Sequence, residues 1–323
     1  MKKTLLVLLT MVCAASTMPS FAQQATEAKI YQNYPVGLQM LQAGYGMQNT
    51  NSTVDGAVTI PNKDVKIDVS LYYLRYATFF NFFNKTAGVQ LVVPYASIDA
   101  KILGVNRKNS GFSDMMVVLG SNIIGGQPLS FAKFLQTPKE TIFAWSLAVT
   151  APTGSYSTNK LLNPGGNRWQ FKPELAFSKP IKKFDIEVYA AAKFFTTNSE
   201  TPSLIALKPG SSLKQNAFYS ATFHGIYNLN TKFWISFDAA SRFGGETTQN
   251  DIAENNAQSL LGLGGSATYS PGIHHQIGFS YMGRAAGDSD APNGHMFALK
   301  YSFLFGAKMD QTIRAMKAKA QQQ

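Results

Sequence analysis

The sequence is poor in cysteine and in charge. It has one cysteine, Cys13, in 323 residues, and 15 % of its residues are charged. A single cysteine excludes an internal disulfide framework and a cysteine-ligated metal site. The charged fraction lies well below the ~25 % that is typical of soluble domains. Acidic residues are fewer than basic ones, with 18 Asp and Glu against 29 Lys and Arg. The excess of basic residues is spread along the chain, so it does not predict nucleic-acid binding.

Long hydrophobic runs are also missing beyond the first residues. A helix needs ~20 apolar residues to cross a bilayer, and no stretch after residue 22 comes close. Residues 1–22 have two lysines, a short apolar core and the small-residue pattern Ser20-Phe21-Ala22. This pattern predicts a signal peptide that is removed after Ala22, so the protein is exported and its mature part has no cysteine.

What the sequence does have is alternation of apolar and polar residues with a period of two, which is typical of half-buried strands. Phe184, Ile186 and Val188 fall on one face of such a strand, and Asp185 and Glu187 fall on the other. The pattern breaks phase near Tyr72 and Tyr73, which indicates either a bulge or a wrongly assigned strand there. Twelve strands are predicted at 38–50, 64–80, 86–103, 111–124, 141–155, 168–179, 184–198, 216–229, 232–245, 258–270, 274–286 and 295–305.

The connections alternate between short and long, as in outer-membrane barrels with short periplasmic turns and long outer loops. The long, polar connections include 51–63, 156–167, 199–215 and 246–257. The connection 125–140 is long where a short turn is due, and residues 129–135 within it could form a helical turn.

A soluble β-sandwich would also alternate, but its solvent face would carry many Lys and Glu. Here the polar faces hold mostly Ser, Thr, Gly, Gln and Ala, and the apolar faces are rich in aromatic residues near strand ends. Such aromatic girdles, together with the need to leave no open sheet edge in lipid, favour a closed barrel. The sequence therefore predicts an all-β, closed antiparallel transmembrane β-barrel of about 12 strands, preceded by a signal peptide.

The predicted organisation has four parts: a signal peptide at 1–22, a short periplasmic segment at 23–35, the barrel at 36–305 and a basic periplasmic tail at 306–323. The last strand has five consecutive large apolar positions on one face, from Phe297 to Phe305. The tail that follows is interpreted as a solvated helix, with a contact to peptidoglycan or a partner as the alternative.

Several segments resemble an outer-membrane β-barrel family labelled "putative MetA-pathway of phenol degradation", a phenol-degradation-associated transporter family. The most specific segment is Asn163-Pro164-Gly165-Gly166-Asn167-Arg168-Trp169, followed by 171–174. Further segments that carry the resemblance are 73–76, 91–95, 110–114, 146–154, 194–198 and 244–248. The chain departs from the family pattern at Ser113 and in its tail. The resemblance implies an outer-membrane channel, with aromatic or other small hydrophobic solutes as its cargo.

The alternation also assigns charged residues to the lumen, where charges in a narrow barrel are expected to pair. The selectivity candidates are Lys172, Glu174, Glu187, Lys193, Asp238, Arg242 and His224. Arg168 is the candidate for the outer mouth, where it would steer anions or, on the structural interpretation, bond loop carbonyls or lipopolysaccharide phosphate. With Lys66, Asp68, Asp185 and Arg284 also placed inside, the wall has nearly balanced charge, which predicts weak ion selectivity and passage of small, partly hydrophobic molecules.

Two other classes stay open: a barrel enzyme acting on lipids, and a structural or adhesin barrel without transport. Nucleophilic catalysis needs a Ser with a His base in reach, and His224 is the one histidine in mid-strand. No catalytic residue, metal site or cofactor is predicted, because His274 and His275 have no further ligands nearby in the sequence. The expected partners are outer-membrane lipid and lipopolysaccharide, the barrel-insertion machinery and a small-molecule solute, with no nucleic acid; the expected location is the bacterial outer membrane.

Overall fold

A computed structural model describes residues 27–50, 65–102, 104–202, 211–288 and 291–321. The predicted signal peptide, with Cys13, lies outside the described residues, as do the loop 51–63 and residues 203–210 of the connection 199–215. No helix in these ranges is long and apolar enough to cross a membrane.

The described chain is almost entirely strand. The strands are β1 (Leu38–Thr50), β2 (Val65–Phe82), β3 (Lys85–Ile102), β4 (Val105–Phe112), β5 (Met116–Ile124), β6 (Ile142–Thr150), β7 (Gln170–Ile181), β8 (Phe184–Phe195), β9 (Asn198–Thr201), β10 (Ser211–Gln215), β11 (Phe218–Asn228), β12 (Phe233–Gly244), β13 (Thr247–Gln249), β14 (Ile252–Ala253), β15 (Gln258–Tyr269), β16 (His275–Gly287) and β17 (Gly294–Gly306). The helices are α1 (Phe131–Gln136) and α2 (Met309–Ala320).

Twelve of these strands close into an antiparallel barrel, which confirms the predicted fold. Their order around the ring is β1, β2, β3, β5, β6, β7, β8, β11, β12, β15, β16 and β17, and β17 pairs with β1 over the full length of both strands. The predicted strand at 111–124 is two strands, because the chain breaks at 113–115. β5 pairs with the first half of β3, and β4 extends along its second half.

The outer surface of the barrel is a belt of exposed apolar side chains. On β17 the side chains of Phe297, Leu299 and Tyr301 are 38–53 % exposed, while Ser302 between the outward positions is buried. The same alternation runs through β7, β8, β11 and β15. Such a belt on a closed barrel is the surface that faces lipid, so the chain spans the bacterial outer membrane.

The phase assigned to β2 from the sequence is wrong. β2 pairs without any register shift along both neighbours, and the predicted bulge near Tyr72 and Tyr73 is absent from it. Buried positions are the odd ones, from Ile67 to Ala77. Lys66 and Asp68 therefore lie on the outward face, where Lys66 is exposed and its ammonium group lies 3.6 Å from the Asp68 carboxylate. The inner wall here is apolar and packs against Leu162 of the loop after β6. This lumen-facing side therefore lacks the polar residues by which a sequence pattern would identify it.

One end of the barrel has the short turns, and β1 begins and β17 ends there. Phe83 and Asn84 both have positive φ in the two-residue turn between β2 and β3, as a tight hairpin with right-handed twist requires. The long connection after β5 contains α1, which confirms the predicted helical turn. Phe131 of α1 packs with Leu38 and with Met309 of α2, so the two helices cover this rim together.

The opposite end is built from the long loops. β9, β10, β13 and β14 form a separate four-stranded sheet there, which the sequence did not predict because these strands are two to five residues long. The carboxylate of Asp114, at the break between β4 and β5, accepts hydrogen bonds of 2.8 Å from the backbone N–H of Gly154 and of Gly166. These bonds tie the loop after β6 to the barrel rim.

Candidate functional site in the barrel lumen

The N-terminal segment (residues 27–37) enters the lumen before β1 begins. The sequence predicted a periplasmic segment over 23–35, but the described part of it contacts inward-facing side chains of the barrel. Glu27 contacts β2 and β17, whereas Lys29 contacts β8 and β11, which lie on the opposite side of the ring. The segment therefore crosses the lumen.

Glu27 is held by two cations. One of its carboxylate oxygens lies 3.1 Å from Arg75 Nη2 on β2, and the other bonds to Lys300 Nζ on β17. β1 separates these two strands in the ring, so the two cationic groups converge on one carboxylate from either side of β1. The alternation pattern does not identify either cation as a site residue. It gives β2 the wrong phase, which affects Arg75, and in β17 Lys300 is a single charge on the face opposite the aromatic residues.

The opposite wall holds Lys29. Its backbone N–H donates to Glu187 at 2.8 Å, and its ammonium group lies 3.5 Å from the Asp185 carboxylate and 4.9 Å from the centre of the Trp234 ring. Asp185 also accepts from Lys139 of the connection after β5, at 2.7 Å. The N-terminal segment and the connection after β5 therefore supply these buried carboxylates with partners from outside their own strands.

Tyr31 fixes the middle of the segment. Its hydroxyl donates to Glu174 at 2.7 Å and lies 2.6 Å from the Ser146 hydroxyl, and its ring stands edge-on to Tyr189 with centroids 5.0 Å apart. Further along, Val36 donates its backbone N–H to Leu129. The segment is thus held by hydrogen bonds and by packing of Ile30 and Tyr31 against the inner wall.

Two cavities adjoin the N-terminal segment. The larger has Glu27 and Ala28 in its wall. The other has Ile30, Tyr31 and Gln32 in its wall and lies toward the turn end of β2, β3, β5 and β6. The segment therefore lies between the two cavities.

The larger cavity has an apolar wall with a few polar groups. Its inward-facing residues from the barrel are Gly46, Gln48, Val69, Leu71, Tyr73, His224, Trp234, Asp238, Ser266, Ser280, Met282, Met296, Ala298 and Lys300. An apolar cavity with few convergent polar groups is the usual form of a small-molecule site.

The predicted lumen candidates on β7 and β8 lie on the inner face. Lys172 and Glu174 form a 2.8 Å ion pair along β7 itself. Glu187 on β8 accepts from Ser178 at 3.1 Å and from the hydroxyl of Tyr189. Lys193 lies with its ammonium group 5.2 Å from the centre of the Phe195 ring. The structure thus places these side chains in the wall, with Lys172 and Glu174 paired within one strand.

The candidates on β11 and β12 also face inward. His224 Nδ1 lies 2.7 Å from Asp238, whose other carboxylate oxygen accepts from the Ser266 hydroxyl at 2.6 Å. Arg242 donates to Gln258 at 2.9 Å and lies over the Phe218 ring. His224 and Asp238 line the larger cavity, and Arg242 lies nearer the loop end.

Arg168 is buried at the loop end, with 1 % of its surface exposed. It donates to Gln215 of β10 at 2.6 Å, and its guanidinium lies 4.3 Å from the centre of the Phe195 ring. This environment favours the structural interpretation over anion steering from an exposed mouth. Trp169 beside it is 45 % exposed on the outward face, as expected of a girdle residue. Among the described residues, no group of three or more potential metal ligands comes together.

Comparisons with known proteins agree with this architecture. The sequence profile of the family described as "Putative MetA-pathway of phenol degradation" matches residues 48–301. The fold is similar to that of the COG4313 outer membrane channel from Pseudomonas putida F1, with a TM-score of 0.73 and 19 % identity over 87 % of this chain and 100 % of that one. No curated protein matches the sequence.

Other solved barrels are less similar. The translocator domain of the autotransporter NalP from Neisseria meningitidis has a TM-score of 0.48 and 12 % identity, over 85 % of this chain and 91 % of that one. A mutant of the TodX monoaromatic hydrocarbon channel has a TM-score of 0.43 and 8 % identity, with the same two coverages of 85 % and 91 %.

Proposed function

Because the chain belongs to the family described as "Putative MetA-pathway of phenol degradation", we propose that it is a passive outer-membrane channel for small, partly hydrophobic solutes, aromatic compounds among them. The observation that carries the proposal is the open cavity inside a closed barrel, with an apolar wall and a few polar groups. A barrel with no transport role has no need of such a space, because about eight strands already suffice to build a barrel filled by side chains.

The site does not favour lipid chemistry. His224 faces the lumen and not the lipid, and Ser266 donates its hydroxyl to the Asp238 carboxylate. A nucleophilic serine would instead give its proton to the histidine, so this group is better suited to lining a passage than to acyl transfer.

The surface of the barrel indicates which molecules the channel contacts. The apolar belt contacts outer-membrane lipid, the loop end contacts lipopolysaccharide, and the aromatic face of β17 is recognised by the barrel-insertion machinery. Residues 1–22 act as the signal peptide, 36–305 as the barrel and 306–323 as a basic periplasmic tail. Neither a cofactor nor a metal takes part in passive permeation.

Uptake of a labelled aromatic alcohol tests the proposal in cells whose lipopolysaccharide leaflet slows its direct entry. Ala298 faces the cavity from β17, whereas Ala221 faces lipid from β11 and is exposed. Cells that produce the protein should take up benzyl alcohol faster than cells without it, and Ala298→Phe should reduce that gain while Ala221→Phe should not. Equal uptake with and without the protein would refute the proposal.

A further inference from the structure

Arg75 and Lys300 form a binding site for one carboxylate, and the chain's own Glu27 occupies it. Arg75 is 9 % exposed, and its Nε has no hydrogen-bond partner among the described residues. A guanidinium and an ammonium group that converge on one carboxylate make charge-assisted bonds, which are about twice as strong as neutral ones. This site therefore has the chemistry and the spare donor of an anion receptor.

The occupant belongs to the N-terminal segment, which lies in the lumen and is not part of the barrel wall. Glu27 and Lys300 line the larger cavity, whereas Arg75 does not, so Glu27 lies between Arg75 and the open space. Removal of Glu27 would expose both cations to that space.

An aromatic surface adjoins the two cations. The Tyr73 ring centre lies 5.5 Å from the Arg75 guanidinium carbon, and Leu71 and Met296 continue the apolar wall from there. A molecule with one carboxylate and one ring could place its carboxylate on the cations and its ring on this wall. Burial of the ring would add binding free energy that a short aliphatic acid lacks.

We propose that Arg75 and Lys300 bind aromatic monocarboxylates in competition with Glu27, and that solute binding there releases the N-terminal segment from the lumen wall. The inference rests on the proposed channel function and names a solute class for it. Competition for one site makes the effect reciprocal: a bound solute weakens the docking of the segment by the same factor by which the docked segment weakens binding of the solute.

Tryptophan fluorescence of the folded protein in nonionic detergent measures binding directly, because Trp234 lines the cavity. The probes are benzoate, its neutral analogue benzamide, and acetate. Glu27→Gln removes the competing carboxylate and keeps the size of the side chain. It should raise the affinity for benzoate at least about tenfold, as expected when a charge-assisted competitor is lost. The affinity for benzamide should change less than about twofold.

Two variants control this result. Glu200→Gln removes an exposed carboxylate at the loop end and should leave every affinity unchanged. Adding Lys300→Gln to Glu27→Gln should abolish the gain for benzoate, because one of the two cations is then missing. Heat-modifiable gel mobility identifies variants that have kept a folded barrel.

The proposal is overturned when Glu27→Gln binds benzoate no more tightly than the unmodified protein, when benzamide gains equally, or when Lys300→Gln leaves the gain intact. Acetate binding as tight as benzoate binding also overturns it, since the site would then be a plain anion site. Binding in detergent does not depend on transport. A failed uptake experiment with intact benzoate binding would therefore refute the channel, and intact uptake without this binding pattern would refute only the present inference.

Discussion

Tyr31 is the residue whose loss should most weaken the docking of the N-terminal segment. Tyr31→Ala removes the hydroxyl contacts to Glu174 and Ser146, at 2.7 and 2.6 Å, and the edge-on ring contact with Tyr189. A hydrogen bond to a carboxylate contributes about 1.5–3 kcal/mol and an aromatic pair about 0.5–1.5 kcal/mol, so docking should weaken by about 2–4.5 kcal/mol. At about 1.4 kcal/mol per factor of ten, the undocked fraction should rise about 30- to 1,600-fold.

Hydrogen exchange of the segment measures this change. The backbone N–H of Lys29 is protected by Glu187 and that of Val36 by Leu129, so both amides exchange when the segment leaves the wall. Exchange over residues 27–37 should accelerate by the factor given above in Tyr31→Ala and by less in Tyr31→Phe, which keeps the ring. Tyr219→Ala, on the lipid-facing side, is the matched control. Unchanged exchange in Tyr31→Ala would refute the view that these contacts hold the segment.

Two further predictions concern the tail and the lumen charges. The Leu304 carbonyl and the Asp310 carboxylate raise the pKa of His274 above its usual 6.5. The contact between His274 and Asp310 of α2 therefore stabilises docking of α2 below pH 6.5, and this stabilisation is lost as the pH rises through the raised pKa. The anisotropy of a fluorophore on Met316→Cys should accordingly fall with rising pH, and His274→Gln should remove that fall; a fall that persists would contradict the contact. Lys172→Gln should shift the reversal potential in a salt gradient toward cation selectivity, whereas Lys66→Gln, on the outward face, should not. A shift of equal size in both variants would contradict the assignment of Lys172 to the inner face.

Alternation alone predicts most of the barrel, since a strand between lipid and lumen needs one apolar and one polar face. It fails in the first half of β2, where Ile67, Val69 and Leu71 make the inner face apolar. The outward face there carries Lys66 and Asp68, so the contrast is inverted relative to the rest of the barrel. For this reason Lys66 and Asp68 were placed inside, and Arg75 was missed.

The N-terminal segment lay beyond prediction for a different reason. It is not a regular strand or helix, and its contacts join residues that are far apart in sequence, such as Glu27 and Lys300. Local patterns contain no information on such pairs. One signal was present: inward carboxylates such as Asp185 and Glu187 need cationic or donor partners, and a segment with Lys29 precedes the barrel.

Single-channel conductance in a planar bilayer, with and without residues 27–35, tests the central claim most directly. The claim is that the barrel is a channel whose lumen is crossed by the N-terminal segment. The full chain should give a small conductance, and the deletion, confirmed as folded by heat-modifiable mobility, should give a larger one or a greater open fraction. Equal conductance in the two proteins, or none in either, would contradict the claim.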